Sequence, residues 1–468
     1  MLICAPKHRS MLPRRDFLKS SSAMALGLLG LSRFTHAAAS SGRAIAPYGP
    51  LVPDPERLLD LPEGFSYRVL SKTGDVMGDG LKVPGKPDDM AAFPGPDGKV
   101  ILVCNHELSF NQGDLGPLPN PRRFPRRFDR DAAYDPGEGR EAPYYGGTTN
   151  IVYDPSTGEV DQHFLSLFGT DRNCSGGAMP WGTWITCEET ENLTSPRGRR
   201  HGYCFEVRAT PDGKLQQAVP LKALGRCRHE AVALDPDTGI LYLTEDRNDG
   251  LLYRCIPNEK GNFAAGGTLQ ALALEERASV DLRNYNPNAE HIPEGQPMKV
   301  RWIDMEDPDS PKDDMRIRGH QAGAARFARG EGIFYSDGAL YMCATDGGPT
   351  RQGQIYRILP GEPDRLELFL QPGESDLLNN GDNLTAAPWG DLIICEDLIN
   401  EHKGNTPHLR GITSEGKIYT LARNALNNSE FAGSTFSPDG STLFVNIQNP
   451  GLTLAITGPW KDGNRGSS

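Results

Sequence analysis

Between Asn173 and Thr190 the chain reads NCSGGAMPWGTWITCEET. The stretch offers a thiol, Cys174, then a small-residue turn, then a short apolar run ending on two adjacent carboxylates, Glu188 and Glu189. A strand that ends on paired acids has either met water or gathered ligands for a cation. Similar stretches recur. Turn glycines at Gly98, Gly182, Gly239, Gly338, Gly390 and Gly440 each precede a β-rich run that closes on a polar residue, usually acidic, as at Glu107, Glu189 and Asp246. Seven to ten residues ahead of each glycine stands another polar side chain: Asp88 or Asp89, Cys174, Glu230, Glu331, Asp382 and Glu430. In a hairpin the first strand starts where the second ends, so both polar positions reach the same end of the sheet. Acids gathered this way raise one another's pKa, and bound cations relieve the repulsion. Oxygen ligands suit Ca²⁺, whereas a thiolate suits iron or another softer metal. His229, beside Glu230, reads either as a ligand or as a packed, hydrogen-bonded imidazole.

The elements that must position these groups follow from the spacing. Three of the five intervals between the turn glycines are 57, 52 and 50 residues. The other two, 84 and 99, coincide with insertions: a Pro/Arg-rich loop after Glu107 and a polar stretch from about Pro257 to Ala325. Four strands per unit at this period predict an all-β, six-bladed β-propeller with inserted loops. The innermost two strands of each blade then deliver a ring of carboxylates and one thiol to one mouth of the channel. Cys174, Glu331 and Asp382 are expected within metal-bridging reach there.

Composition narrows the function. The formal net charge is −12, which argues against nucleic acid as a partner, since phosphate binding needs a basic surface. PRRFPRRFDR, Pro121 to Arg130, is the basic exception and reads as a solvated loop. Nine cysteines show no C-x-x-C spacing. Cys187, Cys343 and Cys395, each five residues after a turn glycine, read as small buried hydrophobes. Arg14 and Arg15, followed by a short apolar run and an A-x-A-like site at Ala37 to Ala39, read as a twin-arginine signal over residues 1–39. A linker over 40–60, the propeller over 61–460 and a tail over 461–468 complete the organisation. The expected product is a periplasmic or secreted monomer with no stable membrane span, handled by the twin-arginine export machinery.

The segments NCSGGAMPWGTWITCEE, HGYCFEV, LGRCRHEAVALD, FARGEGIFYSDGALYMCATDGG and GDNLTAAPWGDLIICED resemble the PhoX-type alkaline phosphatases, from about Leu61 to Trp460. That resemblance implies an exported six-bladed propeller with Fe³⁺ and Ca²⁺ in its channel that hydrolyses phosphate monoesters. It implies Cys174 as the iron-binding cysteine and Glu206 as a calcium ligand. It implies Arg329 as the arginine holding the substrate phosphate, Glu331 as a metal-bridging glutamate and Asp382 as a further ligand. Asn105 corresponds to a phosphate-contacting asparagine. Glu188, Glu230, Glu107, Glu189 and Asp246 join the metal set chiefly through the repeat. Gly330 stands where the family has proline, and the chain is more compact than typical members. No G-x-S-x-G elbow is present. A calcium-dependent lactonase on a similar propeller and a non-catalytic calcium-binding propeller are the rival readings.

Overall fold

All six turn glycines adopt the left-handed conformation, with φ between 73° and 93°, which is why no side-chain-bearing residue replaces them cheaply. The computed structural model describes residues 42–138, 141–190, 199–286, 291–373, 377–397 and 406–461. The twin-arginine segment and most of the expected tail lie outside these residues. Among the described residues no helix is long and apolar enough to cross a membrane.

Among the described residues, twenty-six strands form five antiparallel sheets. The N-terminal strands are β1 (Leu51–Val52), β2 (Leu59–Pro62) and β3 (Ser66–Lys72). One sheet comprises β4 (Pro87–Pro94), β5 (Val100–His106), β6 (Gly146–Asp154) and β7 (Glu159–Thr170), in that order. The next has β8 (Asn173–Met179), β9 (Thr183–Glu188) and β10 (Cys204–Arg208). There follow β11 (His229–Leu234), β12 (Leu241–Glu245), β13 (Leu252–Glu259), β14 (Asn262–Leu274) and β15 (Met298–Asp304). After the helix α1 (Met315–Gln321) come β16 (Gly330–Ser336), β17 (Ala339–Ala344), β18 (Gln354–Leu359) and β19 (Arg365–Leu370). Then run β20 (Gly381–Ala386), β21 (Leu392–Glu396), β22 (His408–Ile412) and β23 (Ile418–Asn424). The last sheet holds β24 (Phe431–Phe436), β25 (Thr442–Ile447) and β26 (Leu452–Thr457), with β3 added at its edge.

The arrangement is propeller-like, but the expectation of six separate blades is corrected. The strands β11–β14 and β16–β19 belong to one nine-stranded sheet, because β15 pairs with β14 on one side and with β19 on the other. The polar stretch read as an insertion therefore supplies ladder strands. The segment read as a linker also enters a sheet, since β2 pairs with β23 through Leu59 and Asp60. The basic loop stays at the surface as expected: Phe124 and Phe128 pack on Phe168, while Arg122, Arg123, Arg126 and Arg127 are exposed.

Successive inner strands pack against one another in the order β4, β8, β11, β16, β20, β24, and β24 returns to β4. The circle is closed by chain ends: β3 pairs with β26, Val69 opposite Leu454. The sheets bury both faces, so β5 (VILVCNH) is buried at every position and reads as a continuous apolar run. Between sheets lie clusters such as Ile185, Leu241, Leu243, Tyr253 and Leu269. Each such side chain contributes about 1.5–3 kcal/mol by leaving water.

Candidate metal centre

Each inner strand breaks its register at the same place. Asn173 faces Glu188, and the next pair is Gly176 with Thr186, so two inner-strand residues oppose one on the neighbour. The same shift follows Pro87, His229, Gly330, Gly381 and Ala432. A bulge of this kind re-aims side chains and strengthens the local twist. Five of the six bulges carry a ligand-type residue at the first free position or beside it: Asp88, Cys174, Glu230, Glu331 and Asp382. The residue just before each strand presents its carbonyl to the end of the returning strand. Glu107, Glu189, Asp246, Thr345, Asp397 and Gln448 donate their N–H to Lys86, Arg172, Arg228, Arg329, Asn380 and Glu430 at 2.9–3.3 Å. Lys86, Arg172, Arg329 and Asn380 hold positive φ of 46–53° there, an uncommon state for residues with side chains.

This repeat relocates Glu430. The sequence placed it with Glu230 and Asp382. Its carbonyl instead serves Gln448, so it occupies the position of the arginines, and the first free position of that bulge is Gly433, which offers no ligand.

The bulges bring donors together in two groups. Ligand atoms of Cys174, Glu189 and Glu230 lie within 4.8 Å of one another, as do those of Glu230, Glu331 and Asp382. Cys174, Glu331 and Asp382 thus meet through Glu230, which belongs to both groups. Glu230 is fully buried, and neither of its carboxylate oxygens has a hydrogen-bond partner. Burial first, then Glu331, Glu189 and Asp382, drives its pKa well above the usual carboxylate range. Burial and Glu331 do the same to Asp382, and burial and Asp246 to Glu331. Burial, with Asp88 and Glu230 nearby, raises the half-buried Cys174 thiol. A crowded set of oxygens plus one sulfur, with an orphaned carboxylate at its centre, fits cations of both hard and soft character.

Basic side chains alternate with these acids in an arc that the sequence reading did not include. Lys86 Nζ reaches Glu107 Oε2 at 3.2 Å. Arg172 Nη2 bridges Glu107 Oε1 and Glu189 Oε2, both at 2.7 Å. Arg228 Nη2 bridges Glu189 Oε1 at 2.5 Å and Asp246 Oδ2 at 3.4 Å. Arg329 grips Asp246 through Nε at 2.7 Å and Nη2 at 3.1 Å, and Glu331 through Nη2 at 2.5 Å. Burial alone would raise Asp246, but Arg329 outweighs it and holds it at about 2. The signal was present in the sequence: K-P-D, R-N-C, R-H-E and R-G-E place a base two residues before the ligand-type residue in four successive repeats.

Several expected site residues lie elsewhere. Glu188 points away from both groups; it accepts from Asp171 N, His201 Nδ1, Gly202 N and Tyr203 N at 2.7–3.0 Å. It is Glu189 that joins the donors. Glu206 accepts from Trp181 Nε1 and Thr183 Oγ1 at the opposite end of β9. Asn105 spends its amide on Cys174 O and Ser175 O, at 3.0 and 2.8 Å, and accepts from Trp184 Nε1. It fixes the backbone under Cys174 and keeps no donor for a phosphate. His229 donates from Nε2 to Gly225 O and enters neither donor group.

The Glu188 pair carries a pH dependence. Burial would lower the His201 pKa, but Glu188 at 2.7 Å outweighs it and lifts the ring to about 9. The folded pKa exceeds the unfolded value of about 6.5, so the pairing stabilises fully below that pH and its contribution fades as pH rises through about 9. His201→Gln is expected to flatten the fall in thermal midpoint between about pH 6.5 and 9.5. Parallel wild-type and variant curves would refute this.

The family model described as Alkaline phosphatase PhoX matches residues 46–139 and 146–451. Among solved structures, the chain is similar to Pseudomonas fluorescens PhoX in complex with vanadate, a transition state analogue. The identity is 19%, covering 88% of this chain and 97% of that one, with a TM-score of 0.64. The Pseudomonas aeruginosa periplasmic gluconolactonase PpgL is 14% identical over 82% of this chain and 89% of its own, with a TM-score of 0.40. A gluconolactonase from Xanthomonas campestris, XC5397, is 13% identical over 89% and 99%, at 0.36. No curated protein matches the chain by sequence.

Proposed function

The chain belongs to the alkaline phosphatase PhoX family, and on that premise we propose that it is an exported, metal-dependent phosphatase acting on phosphate monoesters. The observation that carries the metal dependence is Glu230, fully buried, unpartnered on both oxygens and common to both donor groups. Cys174, Glu189 and Glu230 would hold the softer cation, taken as Fe³⁺. Glu230, Glu331 and Asp382 would hold a neighbouring one, with Ca²⁺ on the oxygen-rich side. Clustered cations of this kind neutralise the phosphate dianion and lower the cost of charge on its oxygens. The chain's own part is to orient the ester. Arg329 Nη1 has its ion-pair partner Asp397 at 3.9 Å, beyond hydrogen-bond reach, and so remains for a phosphate oxygen. Arg172 and Arg228 hold Glu189 from two sides, which fixes that ligand's orientation.

We read the nine-stranded sheet as two blades joined at their outer edges by β15, which keeps six bulged inner strands around one axis. Support for this count is the ring of six inner strands and the six left-handed turn glycines. The lactonase reading draws no support from structural neighbours with TM-scores this low. A binding propeller without catalysis is separated by assay: the purified protein should contain iron and calcium and hydrolyse 4-nitrophenyl phosphate, and metal without hydrolysis would favour the binding reading. Export by the twin-arginine route is tested by changing Arg14 and Arg15 together to lysine. The expected result is precursor retained in the cytoplasm; normal export of that variant would exclude the route.

A further inference from the structure

Cys187 and Cys204 stand directly opposite each other on the antiparallel strands β9 and β10, with Sγ atoms 3.5 Å apart. Both side chains are fully buried. Their backbone relation is specific. Glu188 N donates to Tyr203 O at 2.9 Å, one step along the ladder. Cys204 O turns away from β9 and accepts from Leu221 N. Opposed pairs alternate along an antiparallel ladder, so Cys187 and Cys204 form a pair without mutual backbone hydrogen bonds. Such pairs bring Cα atoms to about 4.5 Å and side chains closest together. That spacing lies inside the range of roughly 4.4–6.8 Å that a disulfide spans.

We propose that Cys187 and Cys204 are a redox-modifiable pair that closes to a cross-strand disulfide in an oxidising compartment. The oxidant is a small disulfide such as oxidised glutathione. The Cys204 thiolate attacks one of its sulfurs and releases a thiolate, leaving a mixed disulfide. The Cys187 sulfur then attacks Cys204, the mixed bond breaks and a second small thiolate leaves. The two protons lost by the cysteines end on the two released thiols, and two electrons pass from the protein to the oxidant. Access would come by local opening at the edge: β10 is the outermost strand of its three-stranded sheet, and among the described residues its far side meets a single bridge, Phe205 to Pro220. The bond would tie β10 to the end of β9 that leads into Glu188 and Glu189. This reading does not depend on the phosphatase assignment. It also leaves Cys174, half-buried among the metal donors, out of the exchange.

The test uses the full chain, purified in reductant and then treated with oxidised glutathione in urea too dilute to unfold it globally. After denaturation and alkylation, peptide mapping should show Cys187 joined to Cys204, with the chain lighter by about two hydrogens and the remaining cysteines alkylated. The thermal midpoint of the oxidised protein should fall by about 2–6 °C on reduction. Cys187→Ala and Cys204→Ser should each abolish that response. If either variant fails to fold, the wild-type map decides alone. Full alkylation of both residues, a bridge from either one to Cys227, or equimolar zinc retained on intact thiols would overturn the proposal.

Discussion

Glu230→Gln should lose its metals and, with them, nearly all phosphatase activity. The carboxylate is common to both donor groups, so its loss weakens two sites at once. Cations stabilise transition-state charge by several kcal/mol, and about 4 kcal/mol corresponds to roughly a thousandfold in rate. A fall in kcat/KM of about that size or more is therefore expected. Stability of the metal-free protein should move the other way. Burial and neighbouring carboxylates raise the folded pKa of Glu230, so the native state binds its proton more tightly than the unfolded chain does. Stability then declines as pH rises above the unfolded value of about 4.3. Glutamine carries no such charge, so the metal-free variant should melt higher than metal-free wild type at neutral pH. Elemental analysis, ester hydrolysis and melting curves on both proteins provide the check. Retained metal, or a metal-free variant that melts lower, would defeat the assignment.

The turn glycines and the runs after them located the inner strands and the mouth to which they deliver polar groups, because a left-handed turn and a continuous apolar run leave strong local marks. Cys174, Glu230, Glu331 and Asp382 were legible for the same reason. Bulges were not. Two residues facing one leave no mark in hydrophobic periodicity, and that single-residue slip decides which inner-strand residue stands free of the ladder. It also decides that Glu430 sits with Arg172 and Arg329 instead of Glu230. The role of Asn105 was not legible, because an asparagine near a site looks alike whether its amide serves a ligand or the backbone. Only the acceptors, Cys174 O and Ser175 O, tell the difference. The β15 bridge between ladders could not be seen either, since pairing partners far apart in sequence depend on tertiary placement.

Arg329→Ala separates two roles that the sequence could not distinguish. A purely phosphate-binding arginine would affect kinetics alone. In the structure, however, Arg329 is the final cation of an arc and grips both Asp246 and Glu331, with less than a quarter of its side chain exposed. Without it, Glu331 loses its ion-pair partner and Asp246 keeps only the longer contact to Arg228, at 3.4 Å. Breaking a buried pair from one side costs about 3–5 kcal/mol, so the metal-free variant should melt well below metal-free wild type. Once metals are loaded, Glu331 gains a cation and most of that deficit should close. Catalysis should still suffer, because the Nη1 donor to the ester is gone. A charge-assisted hydrogen bond contributes about 1.5–3 kcal/mol, or roughly ten- to a hundredfold in kcat/KM. Arg329→Lys keeps the charge but not the planar fork, so it should recover stability more fully than rate. Melting curves with and without metal, metal content and kinetics on both variants supply the measurement. If the alanine variant changes kinetics but not the metal-free midpoint, Arg329 is a substrate ligand alone; if it changes the midpoint but not kinetics, it is a clamp alone.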